Sequence, residues 1–279
     1  MVEGKEIKHP EIKQIDWFDD RHYRLNLDGT DVYFPSVTTK LSAEAKPYLA
    51  RWRGDVGNRE ADIRMRTAAD RGSRIHFGWY LMTTKGTVIY NPFQRPNYTS
   101  QEIEEIAKTS NGILILENQD EMYDLYKLQE WHKIVQPLIK ANELIVYSLT
   151  NKDAGQLDKL MYIKAGGYQI NGAKWLNIEE GLYVVDLKSG NTFPDNAFMQ
   201  IAAYKNCYEE MSGEKVKGGI VIHTGAKTKK GIEGLATYLR TSEELKEDYL
   251  DYRAVANVWE RRKKNLKPKI FQFPSKITL

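Results

Sequence analysis

Apolar and polar residues change their spacing several times along the chain, and each change predicts an element. Over residues 6–34, short extended runs alternate with turn residues. Asp28-Gly29, between Tyr23-Arg24-Leu25 and Val32-Tyr33-Phe34, predicts a hairpin. Pro35-Ser36-Val37-Thr38-Thr39 closes that run, with Ser36 or Thr38 available to cap a short helix. Residues 41–52 predict a helix with Leu49 and Trp52 inward and Pro47 in a first turn. Over 58–81, Ala61, Met65, Ala68, Gly72, Ile75 and Trp79 recur every three or four residues, the spacing of an amphipathic helix. Gly72 would admit another backbone closely. Residues 83–98 read as a loop, and Thr99-Ser100-Gln101-Glu102 has capping-box spacing ahead of a short helix. Residues 117–141 predict a second long helix with Met122, Leu125, Leu128, Trp131, Val135 and Leu138 inward, kinked or ended by Pro137.

From Glu143 the pattern becomes extended. Residues 144–149, 155–163 and 182–187 predict three strands. Gly166-Gly167 and Asn171-Gly172 mark a loop or extra hairpin between the last two. Residues 194–211 predict a helix packing Phe198, Ile201, Ala202 and Tyr208 on the sheet, with Gln200 and Tyr204 on one stripe. Residues 217–224 and 235–240 predict two further strands. Thr241-Ser242-Glu243-Glu244 opens a helix to about residue 265 that ends in Arg261-Arg262-Lys263-Lys264. The class is α/β: a central mixed sheet flanked by helices, with a helical N-terminal part. Residues 1–141, 142–240 and 241–279 are expected to form one compact unit.

Composition narrows the classes. The 279 residues carry 41% hydrophobic and 28% charged side chains, which fits a folded rather than a disordered chain. A net charge of +3 leaves nucleic-acid binding to local basic clusters. Absence of an eighteen-residue apolar run predicts no membrane association by a spanning helix. The N-terminus lacks a secretory core, and Cys207 alone excludes an internal disulfide or a four-cysteine iron–sulfur cluster. An intracellular, cytoplasmic setting is expected. Gly225-Ala226-Lys227-Thr228 lacks the upstream glycine of a phosphate-binding loop.

The candidate chemistry starts from Asp186-x-Lys188. On a strand both side chains project to one side while Leu187 enters a core. A carboxylate there can hold a hard cation, and the ammonium can meet phosphate charge. Taken alone, the pair also reads as a solvated salt bridge. His76, at the edge of its helical face, reads either as a hydrogen-bonded core residue or as a metal ligand.

In chain order the motifs are His76 on a helix, Gly155-x-x-Asp158 on a strand, Asp186-x-Lys188 on a neighbouring strand, and Gln200-x-x-x-Tyr204 on the following helix. This order resembles the PD-(D/E)XK nuclease superfamily, in its RecB-like exonuclease branch. Viral alkaline-type exonucleases and the mitochondrial genome-maintenance exonuclease are similar in pattern. Pro35 to Thr39, then Leu49-x-x-Trp52, then Arg71-Gly72-Ser73-x-x-His76 are similar to that branch's lead-in. The resemblance covers roughly residues 33–210. It implies a restriction-endonuclease-like core and Mg²⁺-dependent hydrolysis of DNA, with Mn²⁺ as a substitute ion.

By the same resemblance, Asp158, Asp186, the Leu187 carbonyl and His76 hold the metal, and Lys188 positions water and neutralises charge. Gln200 and Tyr204, with Ser36, Arg71 and Ser73, hold DNA or the site's frame. Asp158 and Asp186 lie 28 positions apart, farther than in compact relatives, and residues 165–180 would absorb the difference. Glu143 reads as a partner of Lys159 or as a water-mediated metal contact. Lys229 and Lys230, in the Lys227-Thr228-Lys229-Lys230 loop, and the Arg261 cluster are phosphate-contact candidates or solvated faces. Trp79, Tyr80 or Phe93 could stack on a base, although core packing suits each. Expected partners are DNA, single-stranded or with free ends, and a single-strand-annealing or replication protein. Two alternatives share the fold: a catalytically silent DNA-binding protein and a site-specific endonuclease.

Overall fold

The computed structural model describes residues 10–17, 20–93, 112–171, 174–190, 194–226 and 232–263. Three antiparallel strands come first: β1 (Ile12–Trp17), β2 (Asp20–Leu27) and β3 (Thr30–Pro35). The β2–β3 turn places Asp28 at φ 48° and Gly29 at φ 82°, the left-handed pair of a tight hairpin, as the Asp-Gly signal predicts. Ser36 caps α1 (Val37–Leu41) by accepting from Thr39 N–H at 2.9 Å.

The helix predicted over 41–52 starts later, at Pro47, which takes the first-turn position the sequence assigns it, and runs on to Val56. Pro47 disfavours helical backbone at the residue before it, so Lys46 sits at φ −118°, ψ 69°. The chain turns over residues 42–46 and restarts as α2 (Pro47–Val56). Leu49 and Trp52 are only half-buried there, and no residue of α2 is fully buried.

Helix α3 (Asn58–Thr83) runs the predicted course, but apart from Ala61 its first half is largely exposed and the core lies in its second half. Ala61, Ile75 and Trp79 are buried, whereas Met65 and Ala68 face solvent. Periodicity marks a face; it does not say how far a neighbour extends along it. The close approach on α3 falls at Gly78, where a Cβ would lie 2.4 Å from Leu125 Cδ1. Gly72 faces Ser189 instead.

The stretch read as a loop contains β4 (Thr87–Tyr90), which pairs in parallel with β5 (Ile113–Leu116). The helix predicted after Thr99 lies outside the described residues. Helix α4 (Gln119–Val135) buries Leu125, Leu128, Trp131 and Val135. Gln136 ends it in the left-handed conformation, just before Pro137. Leu138 is therefore not a helical core residue. It opens β6 (Leu138–Ser148) and is 58% exposed.

The central sheet also contains β7 (Asp153–Ile163), β10 (Gly181–Lys188), β11 (Gly218–Ala226) and β12 (Gly234–Thr241), in the order β12-β11-β10-β7-β6. Strands β10 and β11 are parallel and the other pairs antiparallel, which makes the sheet mixed. Residues between β7 and β10 form the separate pair β8 (Gly166–Asn171) and β9 (Lys174–Ile178). Side-chain alternation on β10 sorts the two cores. Tyr183, Val185 and Leu187 pack with Ile75, Trp79, Leu125 and Trp131. Leu182 and Val184 pack on the other face with Phe198, Ile201 and Tyr204 of α5 (Pro194–Ser212) and Tyr252 of α6 (Glu244–Arg262). The predicted capping box precedes α6: Glu244 Oε2 accepts from Thr241 N–H at 2.7 Å, and Thr241 Oγ1 accepts from Glu244 N–H at 3.3 Å. Among the described residues, no helix is long and apolar enough to cross a membrane.

Candidate active site

Sheet register assembles the site. Strand β7 is flanked by β6 and β10, and Asp158 lies on β7. Asn142 opposes Lys159 and Leu144 opposes Leu157, so Glu143 is set opposite Asp158. On the other side Val185 opposes Lys159, so Asp186 comes next to Asp158. Three carboxylates thus line up across three neighbouring strands. Glu143 takes φ 49° at an irregular point of β6, and Gln156 Nε2 donates to its carboxylate at 3.0 Å.

Helix α3 brings in His76, whose Nδ1 is 3.4 Å from Asp158 Oδ2. One ligand atom from each of His76, Glu143 and Asp158 lies within 4.8 Å of the other two. Asp158 Oδ2 also accepts the Leu187 N–H at 2.8 Å, which ties β7 to the tip of β10. Leu187 itself is fully buried, as alternation requires. Lys188 and Asp186 project together: Lys188 Nζ lies 2.7 Å from Asp186 Oδ2. That contact lacks hydrogen-bond direction, so among the described residues Asp186 Oδ2 is a buried oxygen with charge nearby but no aligned donor.

Helix α5 supplies the frame. Gln200 Nε2 donates to Tyr204 Oη at 3.1 Å and lies 3.4 Å from Asp186 Oδ1, while its carbonyl oxygen is 3.4 Å from Lys188 Nζ. Tyr204 is buried because Gly155 makes room: a Cβ there would stand 2.3 Å from the Tyr204 ring. The glycine of Gly155-x-x-Asp158 and the tyrosine of Gln200-x-x-x-Tyr204 are therefore one packing unit.

The electrostatics follow from burial and mutual charge. Burial pushes the Glu143 carboxyl up, and repulsion from Asp158 adds to this, to about 7. Burial also raises Asp186; Lys188 opposes the rise and Asp158 reinforces it. Asp158 feels the same burial, but His76, Lys188 and the Leu187 N–H outweigh it and hold its pKa below the usual value. Burial pulls His76 and Lys188 down, yet neighbouring carboxylates leave both above their ordinary values, chiefly Asp158 for His76 and Asp186 for Lys188. Burial places Tyr204 well above the ordinary phenol, so it is a neutral hydrogen-bonding group.

A divalent cation fits this donor set. Carboxylate oxygens with one imidazole suit Mg²⁺ or Mn²⁺. Three acids share His76, Lys188 and the nearby charge of Lys159, and one buried acid oxygen has no aligned donor. Glu143, read from sequence as a partner of Lys159 or as a water-mediated metal contact, lies in this cluster. Lys159 instead bonds Thr83 Oγ1 at 2.9 Å and Asn142 Oδ1 at 2.5 Å, with its ammonium over the Trp79 ring.

Of the remaining candidates, Ser36 is 1% exposed and its hydroxyl caps α1, a supporting position. Arg71 pairs with Asp124 of α4 and donates to the Ser189 carbonyl. Ser73 is half-buried on α3, three residues before His76. Trp79 is core and donates to His132 Nε2 at 2.8 Å, whereas Phe93 is 95% exposed. Lys229, Lys230 and Lys264 lie outside the described residues; Arg261 is exposed. Comparison with protein-family models and with curated proteins yields no match for this chain.

Proposed function

We propose that this chain is a divalent-metal-dependent deoxyribonuclease of the PD-(D/E)XK kind, hydrolysing phosphodiester bonds from DNA ends. The observation that carries the reading is the His76–Glu143–Asp158 group, with Asp186 set beside Asp158 by strand register and paired with Lys188. His76, Glu143, Asp158 and Asp186, with the Leu187 carbonyl, are the groups that would hold Mg²⁺ or Mn²⁺. Such an ion, when bound, supplies positive charge at the phosphate and lowers the pKa of the attacking water.

The chain's own groups do the rest. The Lys188 ammonium is charged at neutral pH, sits beside Asp186 and is a quarter exposed, so a phosphate brought to the carboxylate cluster could reach it. There it offsets the charge that grows on the phosphate oxygens, an effect strongest where water is excluded. Gln200 lies against both Asp186 and Lys188, so it limits their freedom without taking part in proton transfer. Asp158, held ionised by His76, Lys188 and the Leu187 N–H, keeps the anionic centre intact across neutral pH.

The test is incubation of the purified protein with end-labelled linear DNA and with closed circular DNA, with Mg²⁺ and with EDTA. The expected result is Mg²⁺-dependent loss of linear DNA while circles survive. Binding without cleavage under every metal condition would instead make the chain a DNA-binding protein. Cutting of closed circles at fixed sites would make it an endonuclease.

A further inference from the structure

Lys188 is the last residue of β10, so sheet hydrogen bonds end where its position matters most. The two residues beyond it are gripped by their carbonyls. Arg71 Nη1 donates to the Ser189 carbonyl, and His223 Nε2 lies 2.8 Å from the Gly190 carbonyl. Arg71 does not act alone. Its Nη2 pairs with Asp124, whose side chain is only 5% exposed on α4. Helix α4 is in turn fixed to the sheet, since Trp131 Nε1 donates to Thr237 Oγ1 at 3.1 Å. One residue after Arg71, Gly72 lies against the Ser189 hydroxyl, which would stand in ordinary contact, 3.4 Å, from a Cβ there.

The same helix carries His76 five residues on, about 7.5 Å along the axis. Helix α3 thus contacts both the carboxylate row, through His76, and the chain just beyond Lys188, through Arg71. A carbonyl takes one Nη and a buried carboxylate the other, which is how a planar guanidinium sets geometry rather than merely supplying charge.

We propose that the Arg71–Asp124 pair is a positioning device that fixes Lys188 relative to Asp186 by clamping the Ser189 carbonyl. The proposal rests on the nuclease reading for its kinetic consequence, but not for its structural one. Arg71 is a positioning residue here, not a phosphate contact, and Asp124 reaches the site only through it.

The experiment compares wild type with Arg71→Ala, Arg71→Lys, Asp124→Asn and the Arg71→Ala/Asp124→Asn double variant. Thermal unfolding selects the variants that fold. Arg71→Lys keeps the charge but cannot span both partners, so it serves if the alanine variant does not fold. Amide hydrogen exchange is read at residues 188–190, and steady-state cleavage is read as kcat and KM across a salt series. The clamp predicts faster exchange at 188–190 in every variant. It predicts a kcat loss on the order of 10–100-fold with KM and salt slope unchanged. The double variant is then no worse than the single ones. A phosphate-contact role predicts instead that Arg71→Ala raises KM and lowers the salt slope by about one, while Asp124→Asn leaves kcat intact. That pattern, or unchanged exchange at 188–190, overturns the proposal. If the wild type cleaves no DNA, the nuclease reading falls, and the exchange result alone still decides the clamp.

Discussion

Glu143→Gln should change how stability depends on pH, by an amount that can be worked out. Burial and the neighbouring Asp158 move the Glu143 carboxyl from 4.5 to about 7 in the folded protein. An acid whose pKa rises on folding keeps its proton where the unfolded chain has lost it. Stability contributed by that proton therefore falls as pH rises from about 4.5 to about 7, and is gone above it. A displacement of that size corresponds to ~3 kcal/mol in full, most of which is lost between about pH 5 and about pH 8. Glutamine keeps the shape and can still accept from Gln156 Nε2, but it cannot ionise. Metal-free Glu143→Gln should therefore gain on wild type by ~2–3 kcal/mol across that interval, read as urea midpoints at fixed m. Mn²⁺ should reverse the order at high pH, because a bound ion stabilises the protein with the fuller ligand set. Parallel stability–pH profiles for the two metal-free proteins would show that Glu143 does not share a half-buried carboxylate cluster with Asp158.

Three further outcomes follow from particular contacts. Gly155→Ala puts a Cβ 2.3 Å from the Tyr204 ring, and overpacking of this kind costs about 1–3 kcal/mol; a denaturation midpoint equal to wild type would refute the packing account. The metal-free His76→Gln variant should be less stable than wild type below about pH 6.5, because a histidine raised by Asp158 contributes its full share there. That gap should close as pH rises through the folded-state value, and a gap independent of pH would count against the His76–Asp158 interaction. At limiting Mn²⁺ the same variant should need more metal for half-maximal cleavage, so an unchanged titration curve would remove His76 from the ligand set.

What the sequence made legible was local. The Asp28-Gly29 hairpin, the Thr241–Glu244 capping box and the strand alternation around Asp186 each depend on residues within a few positions of one another. Gln200 and Tyr204 share a stripe by helical spacing alone, and their side chains do meet. What stayed hidden depends on distant partners or on backbone irregularity. Glu143 reaches Asp158 from a residue at positive φ, and strand alternation cannot register such a point. Asp124 looks like an ordinary polar residue of α4 until Arg71, 53 positions earlier, is packed against it. Strand β4, Thr-Val-Ile-Tyr, is short and set among Thr, Gly, Asn and Pro residues, and its partner β5 lies beyond an intervening segment, so the surrounding composition carried the loop reading. The exposure of α2 and of the first half of α3 depends on which neighbours are absent, which a hydrophobic period does not encode.

The central claim is that a carboxylate row on three strands serves Lys188 in breaking a phosphodiester bond. The most direct measurement is the single-turnover rate on end-labelled single-stranded DNA with Mg²⁺, for wild type beside Asp158→Asn, Asp186→Asn and Lys188→Ala. The account predicts Mg²⁺-dependent product with wild type and none with each variant, all four proteins remaining folded by circular dichroism. Cleavage at the wild-type rate by folded Asp158→Asn or Lys188→Ala would contradict it.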